Sequence, residues 1–574
     1  MTTRHAGNVS QFLTHTKPCH GISIQTAIGC AAMKALHAYM SNIPSQHYAW
    51  YLLGIWAILT LPSLGLAPLF DYDETIYAQT AADMMHLGEW IVPTANGMQF
   101  FEKPPFTYYM MDVCFTIFGE NAFAARLPSA IFTLFTALLL FRFGRNIHSP
   151  KFGIAAAFIF LSMLEVGILG HAAILDAVLN FFIAACLINY FRWIQNHQKE
   201  HMLWCAAMMG AAVSIKGPVG AVVPVLIILL DRIMVGNLKQ TLRNIPWLPA
   251  LLLFFICATP WYLMIWVQHG SSFLYEFIVV QNIGRAMNPM QGHGGGWHYY
   301  LVVFAISVLP WLMWMPMLIQ RWKRQSSDTL DHLIRFSLLW SAVVLVLFSF
   351  AQTKLPHYIS SLYPAIALAI AAMWFQRKPN RVFTLQIATS IILTPISIAL
   401  IVFPWVYPEI IHWVHHPRAI AVLSQPIQPS AWIAIGGIIL LISNLYLWFR
   451  KDISHTLHRF IIIGFVLQSV LLIPLGSFAG KLAQAPQTRI AHTISQLPHD
   501  MNIYSYNLNF PSISFQAKRP YHIILNQKGQ HTLQTEKHSY GLILRTESLE
   551  DLPWLKQLKP MVNQGGFLFY QVNP

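Results

Sequence analysis

Thirteen apolar segments constrain the fold of this chain more than any other feature. A stretch of about 18 or more apolar residues can cross a bilayer as a helix. Only 10% of the residues are charged, whereas soluble globular chains carry about 25%. The sequence therefore predicts a polytopic α-helical membrane protein with about 13 transmembrane helices. The apolar segments lie near 49–69, 127–144, 152–170, 172–192, 201–215, 217–235, 247–268, 298–319, 333–351, 356–375, 382–407, 431–449 and 457–479.

The positive charge of the chain lies in the connections between these segments. A formal net charge of +14 would suggest a nucleic-acid partner for a soluble domain. Here, however, the Lys and Arg residues form short tracts between apolar runs, so we expect a lipid bilayer and no nucleic acid. Connections after even-numbered segments contain eighteen Lys and Arg, and the opposite connections contain six. The positive-inside rule then predicts a cytoplasmic N-terminus, and an odd number of spans places the C-terminus on the outer side.

The sequence divides into three predicted regions. Residues 1–48 are polar and are expected to form a cytoplasmic tail, and residues 49–480 form the transmembrane domain. Residues 481–574 contain four strand-like runs around a helical or turn region near 511–517, which predicts a small α/β domain outside the membrane. The six cysteines show no CxxC spacing. Neither a disulfide framework nor a zinc site is therefore predicted.

An acidic stretch begins the first outer loop, residues 70–126. This loop is far longer than a connector requires. Asp71, Asp73 and Glu74 occur within four residues, and an amphipathic pattern typical of an interfacial helix follows them. Asp73 could simply cap that helix. Three acids at one helix start exceed what capping needs, and they indicate a functional role.

Further ionisable and aromatic residues lie at the outer ends of the apolar segments, where burying charge is costly and usually functional. Arg and Lys at such an interface can bind a phosphate, and a nearby carboxylate can deprotonate an attacking hydroxyl. A nucleotide sugar is not expected outside the cytoplasm, so a lipid-anchored polyprenyl phosphate sugar is the donor that this pattern favours. The residues concerned are Glu102, Lys103, Asp176, Lys216, Arg285, His293, Lys354 and Tyr358.

Several motifs along residues 49–375 resemble the GT-C glycosyltransferases of the protein O-mannosyltransferase and lipid A aminoarabinose transferase superfamily. The predicted span number and the outer α/β domain resemble the aminoarabinose transferase branch in particular. The resemblance implies an inverting transfer from undecaprenyl phosphate sugar to lipid A or another envelope glycolipid, at the periplasmic face of a bacterial inner membrane. The motifs are "DYDETIYA", "FEKPP", "LDAVLNFF", "KGPVG", "LPW" and "TKLPHYISSLYPAIA".

The same resemblance implies roles for individual residues. Asp73 is the principal catalytic carboxylate, with Glu74 beside it and Asp176 facing the same cavity. Glu102 lies near one divalent metal ion, and His293 is a metal or phosphate ligand. The residues expected to bind the donor phosphate or the acceptor are Tyr77, Lys103, Lys216, Arg285, Lys354 and Tyr358.

The chain departs from the family pattern at three positions. Ile76 stands where the family often has Arg, Phe100 replaces a frequent Tyr, and Ser361 replaces a frequent Pro. A protein O-glycosyltransferase of the same superfamily, with a protein acceptor, is the alternative within this class. A secondary transporter is the alternative from another class, but such folds usually place ionisable residues near mid-membrane within repeated halves. No repeated half is evident in this sequence.

Overall fold

The computed structural model describes residues 47–573 except 285–286, 288–293, 323–327, 377–381, 450–454, 526–530 and 532. The predicted cytoplasmic tail, residues 1–48, thus lies almost entirely outside the described residues. Two candidate site residues, Arg285 and His293, also lie outside them.

The described chain is mainly α-helical. Short 3-10 and π segments join several helices, for example Pro356–Leu362 before α16 and Leu471–Leu475 before α21. The helices are α1 Tyr48–Thr60, α2 Asp73–Leu87, α3 Phe106–Phe118, α4 Ala122–Ile147, α5 Pro150–Leu161, α6 Leu164–Gly170, α7 Asp176–Asn196, α8 Lys199–Lys216, α9 Val219–Val235, α10 Leu238–Asn244, α11 Trp247–Ala258, α12 Pro260–Leu274, α13 Tyr299–Ser307, α14 Met315–Trp322, α15 Thr329–Phe350, α16 Tyr363–Gln376, α17 Val382–Trp413, α18 Pro417–Leu423, α19 Ala431–Phe449, α20 Thr456–Val470, α21 Gly476–Ser495 and α22 Pro511–Ala517.

Local sequence signals account for several helix starts. The Asn121 side chain accepts a hydrogen bond from the Ala124 amide at 3.0 Å and caps α4. The Ser149 hydroxyl accepts one from the Phe152 amide at 3.2 Å, and Pro150 follows at the first position of α5. Both arrangements satisfy amide groups that the first helical turn leaves without an intrahelical partner.

Among the described residues, seven helices are long and apolar enough to cross a membrane, and three bent helix pairs raise the number to as many as ten. Each predicted apolar segment coincides with helix, but several helices are broken. For example, the segment near 298–319 bends by 107° between Tyr299–Ser307 and Trp311–Trp322. The predicted membrane character is thus confirmed, and the number of thirteen spans stays a prediction.

The first outer loop forms a small layer of its own. It contains α2, a two-stranded antiparallel ladder of β1 Thr94–Ala95 and β2 Met98–Gln99, and α3. Nine residues of α2 are buried, and the helix packs against α3 and α22. It is therefore covered by protein on more than one side.

The C-terminal segment folds around a five-stranded sheet, which confirms its predicted α/β character. The strand order is β4-β3-β5-β7-β6. Strand β3 pairs in parallel with β4 and β5, and β7 pairs antiparallel with β5 and β6. Apolar side chains are buried on both faces of the sheet, and α21 and α22 cover one face. The strands are β3 Asn502–Tyr506, β4 His522–Ile524, β5 Tyr540–Arg545, β6 Val562–Gln564 and β7 Phe567–Val572.

Candidate active site

The acidic stretch forms the N-terminal turn of α2, and its two consecutive acids have different surroundings. Tyr72 occupies the N-cap position without a side-chain capping bond, so Asp73 belongs to the first helical turn. The Asp73 side chain is exposed, whereas that of Glu74 is buried. A carboxylate in the first turn is stabilised by the helix dipole. Asp73 is therefore accessible at the start of α2, where the helix dipole favours a negative charge.

Asp73 opens onto a small polar cavity. The cavity combines carboxylates, lysines, an imidazole and tyrosines from sequence regions that lie far apart. Its lining residues are Tyr72, Asp73, Ile76, Tyr77, Glu102, Lys103, Ile174, Lys216, Leu355, His357 and Tyr358. The structure thus brings together six candidates named from the sequence: Asp73, Tyr77, Glu102, Lys103, Lys216 and Tyr358.

A long apolar groove adjoins the polar cavity. Its empty volume is about 1720 Å³, and aliphatic and phenylalanine side chains from α7, α9 and α15 form most of its wall. Lys103, Lys216 and Tyr358 line both the groove and the cavity. Two cations therefore lie where an apolar space meets a polar one.

Asp176 organises this junction. Its side chain is 3% exposed, and one carboxylate oxygen accepts a hydrogen bond from Lys216 Nζ at 2.6 Å. The other oxygen lies 3.7 Å from His357 Nε2. Lys216 Nζ also lies 4.8 Å from the centre of the Tyr358 ring, within the range of a cation–π contact. Asp176 thus holds Lys216 in place, and it lines the groove itself.

The turn after Lys216 depends on two glycines. Gly217 has φ +85°, a positive φ that glycine adopts without steric cost. A Cβ at Gly220 would lie 2.4 Å from the carbonyl carbon of Ala212, so only glycine lets α8 and α9 approach this closely. This turn places Lys216 at the end of α8, beside the junction.

Glu74 lies outside both cavities, in a buried ion pair with Arg126 of α4. Arg126 Nε donates to one Glu74 oxygen at 2.8 Å and Nη2 to the other at 2.7 Å. The two oxygens also accept the amides of Ala173 at 2.7 Å and Phe70 at 2.9 Å. Four hydrogen-bond donors surround the Glu74 carboxylate. These contacts indicate a structural role, whereas the resemblance implies a catalytic one.

Arg126 holds the chain segment that leads to the site. Its guanidinium also donates to the backbone carbonyls of Leu64, Ala67 and Pro68 at 2.7 to 3.0 Å. In the sequence, Arg126 is one of the six Lys and Arg residues predicted to lie in outer connections, and no local pattern indicates that it pairs with Glu74.

Lys354 is also placed apart from both cavities. Its ammonium donates to the carbonyls of Ser349 at 2.8 Å and Ala351 at 2.5 Å, at the C-terminal end of α15. Desolvation lowers the pKa of this lysine. These contacts indicate a helix-end role, and the predicted contact of Lys354 with the donor phosphate stays a prediction.

The structure places His357 and Ile76 at the polar cavity. His357 lines the cavity and approaches Asp176; in the sequence it lies in the same motif as Lys354 and Tyr358, but no role was assigned to it. Ile76 lines the same cavity and is 3% exposed. The arginine frequent in the family that the sequence resembles is therefore replaced by an apolar side chain at the cavity wall, and among the described residues Lys103 and Lys216 are the lysines that line the cavity.

The described residues supply fewer ligands for a metal ion than the sequence analysis predicted. Among the described residues, no three His, Cys, Asp or Glu side chains cluster closely enough to hold a metal ion. Glu102 and Asp73 line the same cavity, but His293 lies outside the described residues. No step of the transfer reaction is therefore assigned to a metal ion.

Comparisons with known proteins agree with this architecture. The family described as dolichyl-phosphate-mannose-protein mannosyltransferase matches residues 102–266. The chain is 31% identical over 357 residues to an undecaprenyl phosphate-alpha-4-amino-4-deoxy-L-arabinose arabinosyl transferase of Shewanella sediminis, covering 60% of this chain and 63% of that protein. A transferase of the same name from Serratia proteamaculans is 30% identical, covering 56% of this chain and 59% of that protein. The chain thus matches less than two thirds of the length of these curated relatives.

Solved structures show the same fold over nearly the whole chain. ArnT from Cupriavidus metallidurans bound to undecaprenyl phosphate aligns with a TM-score of 0.76 at 17% identity, and its apo form with 0.77 at 18%. Each alignment covers 92% of this chain and 98% of ArnT. The chain is a multi-pass membrane protein with the GT-C-type fold of ArnT.

Proposed function

We propose that this multi-pass membrane protein of GT-C fold is an inverting glycosyltransferase that uses a polyprenyl phosphate sugar, with undecaprenyl phosphate as the carrier. The acceptor is a hydroxyl or phosphate on the periplasmic side of a bacterial inner membrane, on lipid A or another envelope glycolipid. The names of the similar arabinosyl transferases favour lipid A as the acceptor and aminoarabinose as the sugar.

The observation that carries this proposal is the junction of the apolar groove with the polar cavity through Lys103, Lys216 and Tyr358. A polyprenyl phosphate sugar has three parts: an apolar tail, an anionic phosphate and a polar sugar. The groove suits the tail, the two lysines suit the phosphate, and the polar cavity suits the sugar. A soluble nucleotide sugar would have no use for the groove.

The geometry supports a single displacement at the anomeric carbon. With a hydroxyl acceptor, Asp73 takes the hydroxyl proton while the acceptor oxygen forms its bond to the anomeric carbon. The bond from that carbon to the phosphate oxygen breaks on the opposite face, so the configuration inverts. Polyprenyl phosphate leaves with the bonding electron pair. Lys103 and Lys216 stabilise the negative charge that develops on it, and Asp176 keeps Lys216 in position.

The orientation of the chain is part of the proposal. The distribution of Lys and Arg supports a cytoplasmic N-terminus, which puts α2, the polar cavity and the C-terminal domain on the periplasmic side. A lipid-linked donor is consistent with this side of the membrane. Reaction of single introduced cysteines with a membrane-impermeant reagent tests it, and protection of the 481–574 segment in intact cells would contradict it.

Lys103 is expected to contribute mainly to donor binding. The Lys103→Gln variant loses one of two cations at the junction, so we expect the KM for the donor to rise about tenfold or more, since a charged hydrogen bond contributes about 1.5–3 kcal/mol. Steady-state transfer with purified protein and varied donor measures this. Lys151→Gln, at an exposed position in α5, is the matched control and should leave KM unchanged. An unchanged donor KM in Lys103→Gln would contradict the assignment of the junction.

Mass spectrometry after deletion of the gene tests the function itself. Loss of a sugar from lipid A or another envelope glycolipid, restored by the wild-type gene, is the expected result. A sugar missing from periplasmic proteins would instead support the protein acceptor that the matching family's description names. Solute uptake into proteoliposomes without any sugar transfer would favour a transporter.

The requirement for a divalent metal ion is a separate part of the proposal, and Glu102 is the predicted ligand. Transfer assays in excess EDTA, followed by addition of Mg²⁺ or Mn²⁺, decide whether the metal is needed.

A further inference from the structure

Asp71, two residues before Asp73, is bound by the C-terminal domain. The Ser512 amide donates to one oxygen of the Asp71 carboxylate at 3.1 Å, and the Ser512 hydroxyl donates to the other. The hydroxyl of Thr75 also donates to Asp71 from within α2. Ser512 lies 441 residues from Asp71 and is 0% exposed. Two donors from one residue hold both oxygens, which fixes the orientation of the carboxylate and not only its position.

The surrounding contacts keep the two partners together. Ser512 belongs to α22, which packs against both α2 and α21. The Phe515 ring lies 5.8 Å from the Phe115 ring of α3. The Ser477 hydroxyl donates to the Leu66 carbonyl at 3.2 Å. The C-terminal domain therefore contacts the first outer loop through α22, and Ser477 of α21 contacts the segment just before that loop.

The polar cavity begins at the residue after Asp71. Tyr72 and Asp73 line it. The Glu74 and Thr75 amides both donate to the Phe70 carbonyl, and these hydrogen bonds close the turn that contains Asp71 and Asp73. A change in the orientation of Asp71 is therefore transmitted over two residues to the Asp73 side chain. Displacement of a reacting group by about 1 Å can cost a large part of the rate.

We propose that Ser512 of the C-terminal domain is a positioning residue that orients Asp73 for transfer by binding the Asp71 carboxylate. This role rests on the proposed function, because it assigns the periplasmic domain a part in the reaction of the transmembrane domain. It differs from acceptor recognition, since Asp71 and Ser512 lie behind the cavity wall and do not line the polar cavity.

Three variants of the full chain test the proposal, with kcat and KM measured separately. Ser512→Ala is expected to lower kcat about tenfold or more and to leave the donor KM within about twofold, because the lost hydroxyl hydrogen bond orients Asp71 beside the reacting carboxylate and does not contact the donor, while the backbone amide bond remains. Ser512→Thr retains the hydroxyl and should keep most of the activity. Ser514→Ala is the matched control, because its buried hydroxyl on the same helix donates to the Pro511 carbonyl and not to Asp71.

Hydrogen exchange of the same proteins gives a readout that does not depend on activity. Amides of residues 70–77 should exchange about tenfold faster in Ser512→Ala than in wild type, and those of Ser514→Ala should match wild type. If the wild-type protein transfers no sugar, the proposed function fails, while exchange still tests the attachment. If the wild-type protein is active and Ser512→Ala retains its kcat and its protection, the positioning role is wrong.

The pH dependence of kcat gives a further readout. Burial raises the pKa of Asp71 to about 6, and the hydrogen bonds from Ser512 and Thr75 act against this rise. Tyr521 of the C-terminal domain interacts electrostatically with this carboxylate, and it also interacts with Tyr72 of the loop. Loss of the Ser512 hydroxyl should shift the acid limb of kcat that belongs to Asp71 to higher pH, because the ionised carboxylate then loses one of its hydrogen bonds, whereas Asp71→Asn should remove the limb that belongs to Asp71. An acid limb unchanged in both variants would contradict the proposal.

Discussion

The Asp73→Asn variant is expected to insert and fold like the wild-type protein and to lose about 10²–10⁴-fold in kcat, the range typical of a missing general base. Asp73 lines the polar cavity, is exposed, and lies in the first turn of α2. The amide is nearly isosteric with the carboxylate but cannot accept the acceptor's proton. Single-turnover transfer with purified protein in lipid nanodiscs measures the chemical step directly.

Asp83→Asn is the matched control for this variant. Asp83 lies on the same helix, but its carboxylate accepts the Gln79 side chain at 2.6 Å and the Asn96 amide at 2.7 Å, outside the polar cavity. It is expected to retain most of the activity. Full activity in Asp73→Asn would show that Asp73 is not the general base. Equal losses of activity in Asp73→Asn and Asp83→Asn would show that the loss comes from a change in loop structure.

Of these variants, Arg126→Met is expected to lose the most stability. The Glu74 carboxylate would remain buried without its cation, and removal of one partner from a buried pair typically costs about 3–5 kcal/mol. The carbonyls of Leu64, Ala67 and Pro68 would also lose their donor. The expected result is a lower melting temperature in detergent and a smaller monodisperse fraction in size-exclusion chromatography.

Arg418→Met is the matched control for Arg126→Met. Arg418 forms a similar bidentate pair with Glu547, but both side chains are 59% exposed. An exposed pair is screened by water and contributes little, so no resolved change in melting temperature is expected. Equal melting temperatures for the two variants would show that the buried pair does not stabilise the loop.

Glu74→Gln separates the two acids that are adjacent in the sequence. We expect this variant to lose stability and to keep the chemical step in the fraction that remains folded, because Glu74 lies outside the cavity. Asp73→Asn should show the opposite pattern. A folded Glu74→Gln protein with no transfer would restore the catalytic role that the resemblance implies for Glu74.

Much of the architecture could be predicted from local sequence. Apolar length predicts helices, and alternating strand runs with turn residues predict the C-terminal sheet, because both depend on neighbours within one element. The position of Asp73 near a helix start was predictable for the same reason. The angles of the breaks within helices were not, since Pro310 between 299–307 and 311–322 interrupts the helix but does not by itself define the 107° bend.

The sequence by itself determined a membrane-embedded helical chain with an acidic loop after the first apolar segment and a terminal α/β region, because hydrophobic burial follows from composition and periodicity. Only the tertiary structure decided which charges meet. It paired Glu74 with Arg126 and Asp176 with Lys216 and His357, and it brought Ser512 to Asp71 from 441 residues away. The sequence does not show which partner a charged side chain contacts. The role of a buried charge depends on the partner that packing places within hydrogen-bond distance.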